Sequence, residues 1–267
     1  MKRIAEILGV SRSNLLRSPR ARVPKRLDDM ELLARIRPVT DARPSYGYRR
    51  TAALVSNDGG PRVNHKRVYR VMKANGLLLA RFTGKPGRTH EGKVITLKSD
   101  IRWCSDSFEI RCWNGERVQV AFAMDCCDRE IMSWVATREG VTGEMIRDLM
   151  ATAVESRFGA QAQRVPNPLQ WLSDNGPPYT AHETRRFGAS LGLTVCTTPA
   201  YSPESNGMAE AFVKTFKRDY VYLNNIDSAV TVMAQLAAWF EDYNEVHPHR
   251  GLRMKSPRQY RKQQLTA

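Results

Sequence analysis

A short strand that ends in an acidic turn stands at residues 166–176, which read Pro-Asn-Pro-Leu-Gln-Trp-Leu-Ser-Asp-Asn-Gly. Two prolines precede five residues of the mostly apolar kind that form a buried strand. Asp174 follows the strand directly, and Asn175-Gly176 favours a turn. Because ligands gather at the carboxyl ends of strands in α/β sheets, Asp174 is a candidate site residue. An Asp before Asn-Gly is more often a plain turn residue, so this position alone identifies nothing.

The sequence around this strand contains segments with the hydrophobic spacing of strands and segments with that of helices. Strands are predicted at residues 101–110, 118–124, 131–137, 169–173 and 194–197. Helices are predicted around residues 145–153, at 181–191 and at 205–220. Three strands in hairpin succession, followed by β-α units, predict an α/β fold with a mixed five-stranded sheet flanked by helices.

Two further acidic residues stand out by their placement. Asp106 lies inside the first predicted strand between Trp103 and Phe108, where a carboxylate is costly unless it is paired or bound to a cation. Glu210 lies on the predicted helix 205–220, off the apolar stripe of that helix. Each residue alone is weak evidence, since a helical Glu is usually just solvated. The interval between Asp174 and Glu210 contains 35 residues.

The positive charge of the chain is concentrated in its first third. The 267 residues carry a net charge of +15, yet residues 1–98 hold 23 Lys and Arg against 7 Asp and Glu. Residues 99–267 hold 19 against 20 and are nearly neutral. A basic module on a neutral body is typical of proteins that bind the phosphate backbone of nucleic acids. The alternative is a basic surface that is merely solvated.

The basic third is predicted to be helical. Residues 1–26 are expected to form a partial helix-turn-helix and a basic linker, residues 28–80 three short helices, and residues 81–98 a second basic linker. The first helix of residues 28–80 is expected to stop at Pro38, and the second to run from Tyr46 to about Val55. The third, from His65 to Ala74, is capped by Asn64 and carries the basic residues suited to the major groove. A helical bundle with a solvated charged face is the alternative.

Several other classes of protein are not favoured. No apolar run approaches the ~18 residues of a membrane span, and the N-terminus lacks the apolar core of a secretory signal. The five cysteines include no C-x-x-C pair, which speaks against a zinc site or a disulfide framework. We expect a cytosolic protein with reduced thiols.

The acidic residues and their surroundings together resemble a known family. The 35-residue interval matches the D…D-35-E arrangement of retroviral integrases, and the chain resembles the second-reading-frame (OrfB-type) subunit of two-reading-frame bacterial insertion-sequence transposases. The matching stretches are Tyr46-Gly-Tyr-Arg-Arg50, Asn64-His-Lys-Arg-Val68, Trp103-Cys-Ser-Asp106, Met124-Asp-Cys-Cys-Asp-Arg-Glu130, Trp171 to Tyr179, Ser202 to Lys217, and Tyr243 to His249 with Ser256-Pro257.

The resemblance implies a fold and a reaction. It implies an RNase H-like integrase core over residues 99–225, preceded by helix-turn-helix modules and followed by a helical extension over residues 226–267. Asp106, Asp174 and Glu210 would hold two Mg²⁺ or Mn²⁺ ions, which prefer oxygen ligands. The implied reaction cleaves DNA at the transposon ends and joins the freed 3′-OH to target DNA. Implied partners are double-stranded DNA, further copies in a synaptic complex and an upstream reading-frame product, and the implied location is the bacterial cytoplasm, at the nucleoid.

The candidate DNA contacts are basic or polar residues on two elements. Lys217 follows Glu210 by two helical turns, and the resemblance implies that it contacts phosphate near the cut end. The candidates are Lys217, Asn206, Lys214, Arg49, Arg50, Lys66, Arg67 and Arg70. Pro177-Pro178 departs from the family pattern, in which a small flexible residue is expected after Asn175-Gly176.

Other functions and other residues compete with this interpretation. The rival functions are an inactive DNA-binding regulator, a nuclease without strand transfer, and a glycosidase with two carboxylates. Asp125 and Asp128 are rival carboxylates, but we expect them to shape the turn before Ile131. His247 and His249 lack Cys partners, and we interpret them as structural.

Overall fold

The protein was analysed as a computed structural model that describes residues 28–80, 96–197 and 207–266, together with Ile7 and Gly9. The predicted partial helix-turn-helix at 1–26, residues 81–95 of the predicted linker, and Asn206 lie outside the described residues. The description therefore covers three helices of the basic third and nearly all of the near-neutral body.

Three helices form the basic module: α1 (Asp29–Ala42), α2 (Tyr48–Asn57) and α3 (His65–Ala74). Their apolar faces meet in a shared core. The Asn64 side chain accepts a hydrogen bond of 2.8 Å from the Lys66 N–H, so the predicted cap and the predicted bounds of the third helix are confirmed. Fully buried members of this core are Leu32, Ile36, Val55, Val68 and Met72.

The predicted ends of the first two helices are wrong. Helix α1 continues through Pro38 to Ala42, because Ile36 is buried and tertiary packing outweighs the missing N–H. The Thr40 hydroxyl donates to the Arg37 carbonyl at 2.9 Å, which supplies a partner beside the proline. Helix α2 begins at Tyr48 because Gly47 is extended and acts as its N-cap, so Tyr46 lies outside the helix.

A mixed five-stranded sheet forms the centre of the body. Strands β1 and β2 and strands β2 and β3 pair antiparallel, whereas β4 pairs parallel with both β1 and β5. The order across the sheet is β3-β2-β1-β4-β5, which confirms the predicted architecture of the described part. The strands are β1 (Arg102–Arg111), β2 (Arg117–Asp125), β3 (Ile131–Thr137), β4 (Leu169–Ser173) and β5 (Leu193–Thr197).

Helices cover both faces of the sheet, so two apolar cores form. One core gathers α4 and the strand residues Trp103 and Trp171; the other gathers α7, α8 and the strand residues Phe108 and Phe122. Helix α7 stops at Asp219, one residue before the predicted end, and a 3₁₀ turn at Val221–Leu223 follows. The helices are α4 (Gly143–Phe158), α5 (Pro177–Thr180), α6 (His182–Ser190), α7 (Gly207–Asp219), α8 (Ala229–Glu245) and α9 (Pro257–Leu265).

The helices of the described residues are too short or too polar to span a membrane. Across residues 28–80, 96–197 and 207–266, none of them combines the length and the apolar character needed to cross a bilayer.

Candidate active site

The parallel pairing of β1 with β4 brings Asp106 and Asp174 together. Cys104 lies opposite Leu172 in this pairing, so two steps further along each strand Asp106 comes beside Asp174. The strands are neighbours in the middle of the sheet, and Asp174 follows the last residue of β4. Two residues that are 68 positions apart in sequence are therefore neighbours at the point where β4 ends beside β1.

The environment of Asp106 makes its negative charge unfavourable. Burial, together with the charges of Asp174 and Glu210, raises the pKa of Asp106 to about 6, although a hydrogen bond from the Ser107 N–H acts in the opposite direction. That hydrogen bond measures 2.8 Å. Within the described chain, no Lys or Arg forms an ion pair with Asp106 or Asp174. The pair is thus a concentration of negative charge that the described protein leaves uncompensated.

The turn after β4 fixes Asp174. The Gly176 N–H donates to Asp174 Oδ1 at 3.1 Å, and a Cβ at residue 176 would lie only 3.0 Å from that oxygen. Pro177 and Pro178 then open helix α5, where a missing N–H is no loss. The two prolines, which depart from the family pattern, thus fit the local structure as a helix start.

Tyr179 lies close to this carboxylate pair. Its ring is buried, and its hydroxyl accepts a hydrogen bond of 3.2 Å from Ser105 Oγ. Burial raises the pKa of Tyr179 well above its usual range, and the charges of Asp106 and Asp174 add to this. Tyr179 therefore stays neutral close to the acidic pair.

Glu210 lies in the first turn of α7, and aromatic packing fixes that helix on the sheet. Phe212 packs on Phe122 with ring centres 4.4 Å apart, and Phe216 packs on Phe108 at 5.7 Å. The Glu210 carboxylate is exposed and lies 3.7 Å from Lys214 Nζ. Its charge acts on Asp106, but across the described residues no three acidic, His or Cys side chains converge tightly enough to hold an ion together.

The rival acidic residues are engaged elsewhere, around Arg157. We call Arg157 and the four carboxylates around it the Arg157 cluster. The Asp125 side chain also accepts hydrogen bonds from the N–H groups of Cys127 and Asp128, as expected for a residue that shapes the turn. The Arg157 guanidinium lies 2.5 Å from Asp100, 3.2 Å from Asp125, 2.6 Å from Asp128 and 2.6 Å from Glu130.

Arg157 is not among the residues predicted from the sequence, although its position carries a signal. Arg157 lies three and four residues after Val154 and Ala153 on the buried face of α4, where a cation needs partners. The structure shows that those partners come from the segment between Asp100 and Glu130. A basic residue on an apolar helical face therefore indicated a buried ion network.

The candidate DNA contacts differ in how exposed they are and in whether they form ion pairs within the protein. Arg49, Lys66 and Arg70 are exposed on the module, and Lys214 is exposed on α7. Lys217 is half-buried, with Nζ 5.7 Å from the centre of the Phe108 ring. Two other candidates form ion pairs within the protein: Arg67 with the exposed Asp29 at 2.6 Å, and Arg50 with the buried Asp219 at 2.9 Å.

The two C-terminal histidines are structural. His247 and His249 are buried, and each packs against the Tyr243 ring. Burial lowers the pKa of both well below the usual range, so both rings are neutral. The Tyr46 hydroxyl lies 2.7 Å from His247 Nδ1, which explains why the histidine is buried there.

Comparison with known proteins identifies the family. The integrase core domain matches residues 97–203 and, in a second form, residues 191–257, and an HTH-like domain matches residues 27–86. The chain is 48% identical over 242 residues to transposase InsD for insertion element IS2A/D/F/H/I/K of Escherichia coli, covering 88% of this chain and 80% of that protein. This chain belongs to the insertion-element transposases. The same identity holds for transposase InsD for insertion element IS2-9 of strain K12, with 88% and 78% covered.

A solved structure supports the fold independently. A chain of the simian T-cell lymphotropic virus intasome, solved in complex with PP2A regulatory subunit B56 gamma, is similar with a TM-score of 0.51 and 16% sequence identity. The similarity covers 84% of this chain and 73% of the viral chain. This likeness supports an integrase-type fold for the core. Membership of the transposase family, together with the HTH-like domain, makes the protein a DNA-binding enzyme.

Proposed function

We propose that this transposase cuts DNA at the ends of its element and joins the freed 3′-OH to target DNA, using divalent metal ions held by Asp106, Asp174 and Glu210. The observation that carries the proposal is the Asp106–Asp174 pair. Asp106 and Asp174 lie side by side where β4 ends beside β1, the charge of Glu210 acts on Asp106, and the described protein supplies no cation for the pair. Such a site is stabilised by a cation from outside.

The donor set suits hard divalent ions. Mg²⁺ and Mn²⁺ prefer carboxylate oxygens, and the three candidate ligands are all carboxylates. When bound, two such ions polarise the phosphodiester and stabilise both the attacking and the leaving oxygen. Gly176 leaves room for the Asp174 carboxylate. The nearby Tyr179 hydroxyl stays neutral and adds no further negative charge to the site.

Basic residues on two elements would hold the DNA. The exposed Arg49, Lys66 and Arg70 suit phosphates or base edges of the transposon end, while Lys214 and Lys217 lie on the helix that carries Glu210. Arg67 pairs with an exposed Asp29, and a phosphate can replace such a partner at little cost. We also propose assembly of several copies on paired ends, with an upstream reading-frame product as a further partner.

The test is strand joining on a duplex of the flanking inverted repeat that carries a pre-cut, exposed 3′-OH. Reactions contain Mn²⁺, and the wild type is compared with Asp106→Asn and Glu210→Gln. We expect joined products from the wild type, and a decrease of roughly 10³-fold in each variant, equal to about 4 kcal/mol of transition-state stabilisation. Unchanged circular dichroism spectra would show that the variants are folded.

Other outcomes separate the alternatives. Hydrolysis of the duplex without joining would indicate a nuclease and overturn the strand-transfer proposal. Full activity in either variant would remove that carboxylate from the site. Binding without reaction would be followed by adding the upstream reading-frame product, and joining restored in this way would establish that partner. Binding without reaction in both mixtures would indicate a regulator.

A further inference from the structure

The segment 43–50, which joins α1 to α2 and includes the first residues of α2, connects the DNA-binding module to the body of the transposase. Arg43 donates from both terminal nitrogens to the Asp242 carboxylate, at 2.8 and 2.5 Å. The Tyr46 hydroxyl lies 2.7 Å from His247 Nδ1, and Arg50 donates to Asp219 at 2.9 Å. We call these three contacts the module latch.

Burial makes the module latch a specific contact. Tyr46 is 2% exposed and His247 is fully buried, and the Asp219 side chain is 1% exposed. The guanidinium groups of Arg43 and Arg50 lie 5.4 and 5.1 Å from the centre of the Tyr46 ring. Asp219 also accepts two hydrogen bonds of 2.6 Å from the adjacent Arg218, so Arg50 is the module's contribution to a carboxylate that two arginines share. Loss of Arg50 removes part of the charge compensation of this buried carboxylate, so these groups favour one relative placement of module and body.

The module latch ends on the helix that carries Glu210. Asp219 is the last residue of α7 and lies nine positions after Glu210, a distance of about 13 Å along a helix. Tyr220, which follows, donates from its hydroxyl to Asp242 at 2.9 Å, the carboxylate that also binds Arg43. The position of the module and that of α7 are therefore linked by buried groups.

We infer that the module latch positions the DNA-binding module on α7, so that a transposon end bound by the module meets Glu210 in a fixed geometry. Arg50 is in this view a positioning residue that acts through Asp219, and its side chain does not contact phosphate. The neighbouring Arg49 points outward and is exposed. The inference rests on the proposed role of Glu210 for its effect on joining.

The adjacent arginines form a matched pair of variants. If Arg49 contacts phosphate, Arg49→Ala weakens binding of the terminal repeat. It also lowers the slope of log binding constant against log salt concentration by about one. Arg50→Ala is expected to keep the affinity within about twofold, because its side chain faces protein rather than DNA. At saturating DNA, Arg50→Ala is expected to lower the rate of joining ~10-fold or more, since small misplacements of reacting groups are costly.

Variants of the partners distinguish a latch from a loss of folding. Asp219→Asn and Tyr46→Phe each remove part of the latch, and both are expected to lower joining without weakening DNA binding. Arg50→Lys keeps the charge and is expected to restore part of the rate. The double variant Arg50→Ala/Asp219→Asn is expected to lose no more than the worse single variant, because the two residues act as one pair.

Hydrogen exchange gives a readout that does not depend on joining. In Arg50→Ala, amides of residues 43–50 and 242–249 are expected to exchange faster, while amides of β1 and β4 keep the wild-type rate. Weaker DNA binding by Arg50→Ala, with a lower salt dependence, would overturn the inference and make Arg50 a phosphate contact. Unchanged exchange would overturn it as well. If wild type fails to join DNA, the proposed function fails while the exchange and binding results still decide on the latch.

Discussion

The transposase contains two concentrations of acidic side chains that differ in how their charge is balanced. In the Arg157 cluster, four carboxylates surround one buried guanidinium. At the candidate active site, Asp106 and Asp174 lie together with no cation partner among the described residues, and Glu210 forms an exposed ion pair of 3.7 Å with Lys214. Acidic side chains with an internal cation hold the fold together, whereas those without one are available to a ligand from outside.

The balanced cluster is still costly to the fold. Burial and the charge of Asp125 raise the pKa of Asp128 to about 6, although Arg157 acts in the opposite direction. Asp100 adopts a φ of 63°, in the left-handed region, while its carboxylate contacts Arg157. Arg258 and Arg261 of α9 add further cations at Glu130. The cluster thus ties the start of β1 to the C-terminal helix.

Removing the central cation is expected to give the largest effect on stability. Arg157→Met leaves buried carboxylates without their shared partner, and we expect the free energy of unfolding to fall by about 3–5 kcal/mol. Urea unfolding at pH 7, followed by circular dichroism, measures this change. Asp106→Asn is the control, because it removes a charge that has no cation partner, and its stability should not fall. A loss below about 1 kcal/mol in Arg157→Met would contradict the structural role.

The contrast between the two regions also marks how far the sequence could be interpreted. Asp174 could be recognised from its place after a short apolar strand, and the interval to Glu210 pointed to the same site. Both signals are local or follow a fixed spacing. The partners of Arg157 are spread between residues 100 and 130, and they come together because the turn after β2 gathers three of them and the Asp100 N–H donates to Asp125. Pairings of this kind depend on the folded chain and are not visible as a pattern.

For the adjacent Arg49 and Arg50, too, the sequence does not show which surroundings each side chain meets in the folded protein. Arg49 and Arg50 look alike in the Tyr-Gly-Tyr-Arg-Arg stretch, and both were predicted to contact DNA. Their directions differ because successive side chains of a helix are rotated by about 100°, so that Arg50 meets Asp219 while Arg49 stays exposed. The course of α1 through Pro38 was likewise decided by burial of Ile36 rather than by local preference. The fold class was predictable from periodicity, while these orientations required tertiary contacts.

Added metal is expected to stabilise the protein by binding at Asp106 and Asp174, and not at the Arg157 cluster. Mn²⁺ at about 100 times its dissociation constant should raise the free energy of unfolding by about 2.7 kcal/mol, because it binds the folded protein. Differential scanning fluorimetry with and without Mn²⁺ measures the shift in melting temperature. Asp174→Asn is expected to abolish the shift, and Asp128→Asn to retain it. A shift that survives in Asp174→Asn but disappears in Asp128→Asn would reverse the assignment of the two regions.

Without metal, a smaller difference in the free energy of unfolding is expected between wild type and Asp106→Asn, and it depends on pH. The pKa of Asp106 rises from 3.8 to about 6 on folding, so its charged form destabilises the native protein. Stability from this group is present below pH 4 and is lost as the pH rises through 6. In EDTA, Asp106→Asn should therefore exceed wild type by about 1–2 kcal/mol above pH 6, with no excess near pH 4. A pH-independent difference between the two proteins in urea titrations would show that Asp106 is not the titrating group.

The exposed pair of Glu210 with Lys214 is expected to give the smallest effect. The two residues lie one helical turn apart, at 3.7 Å, and both side chains are well solvated. Lys214→Gln should lower the free energy of unfolding by only about 0.3–0.5 kcal/mol, and 0.5 M salt should remove most of this difference. Lys214→Arg, measured in parallel by urea unfolding, should match wild type. A loss near that of Arg157→Met would mean that Glu210 depends on an internal cation for its stability, and the distinction between the two acidic regions would not hold. A small, salt-sensitive loss would leave the Glu210 carboxylate available to a metal ion, as the proposed site requires.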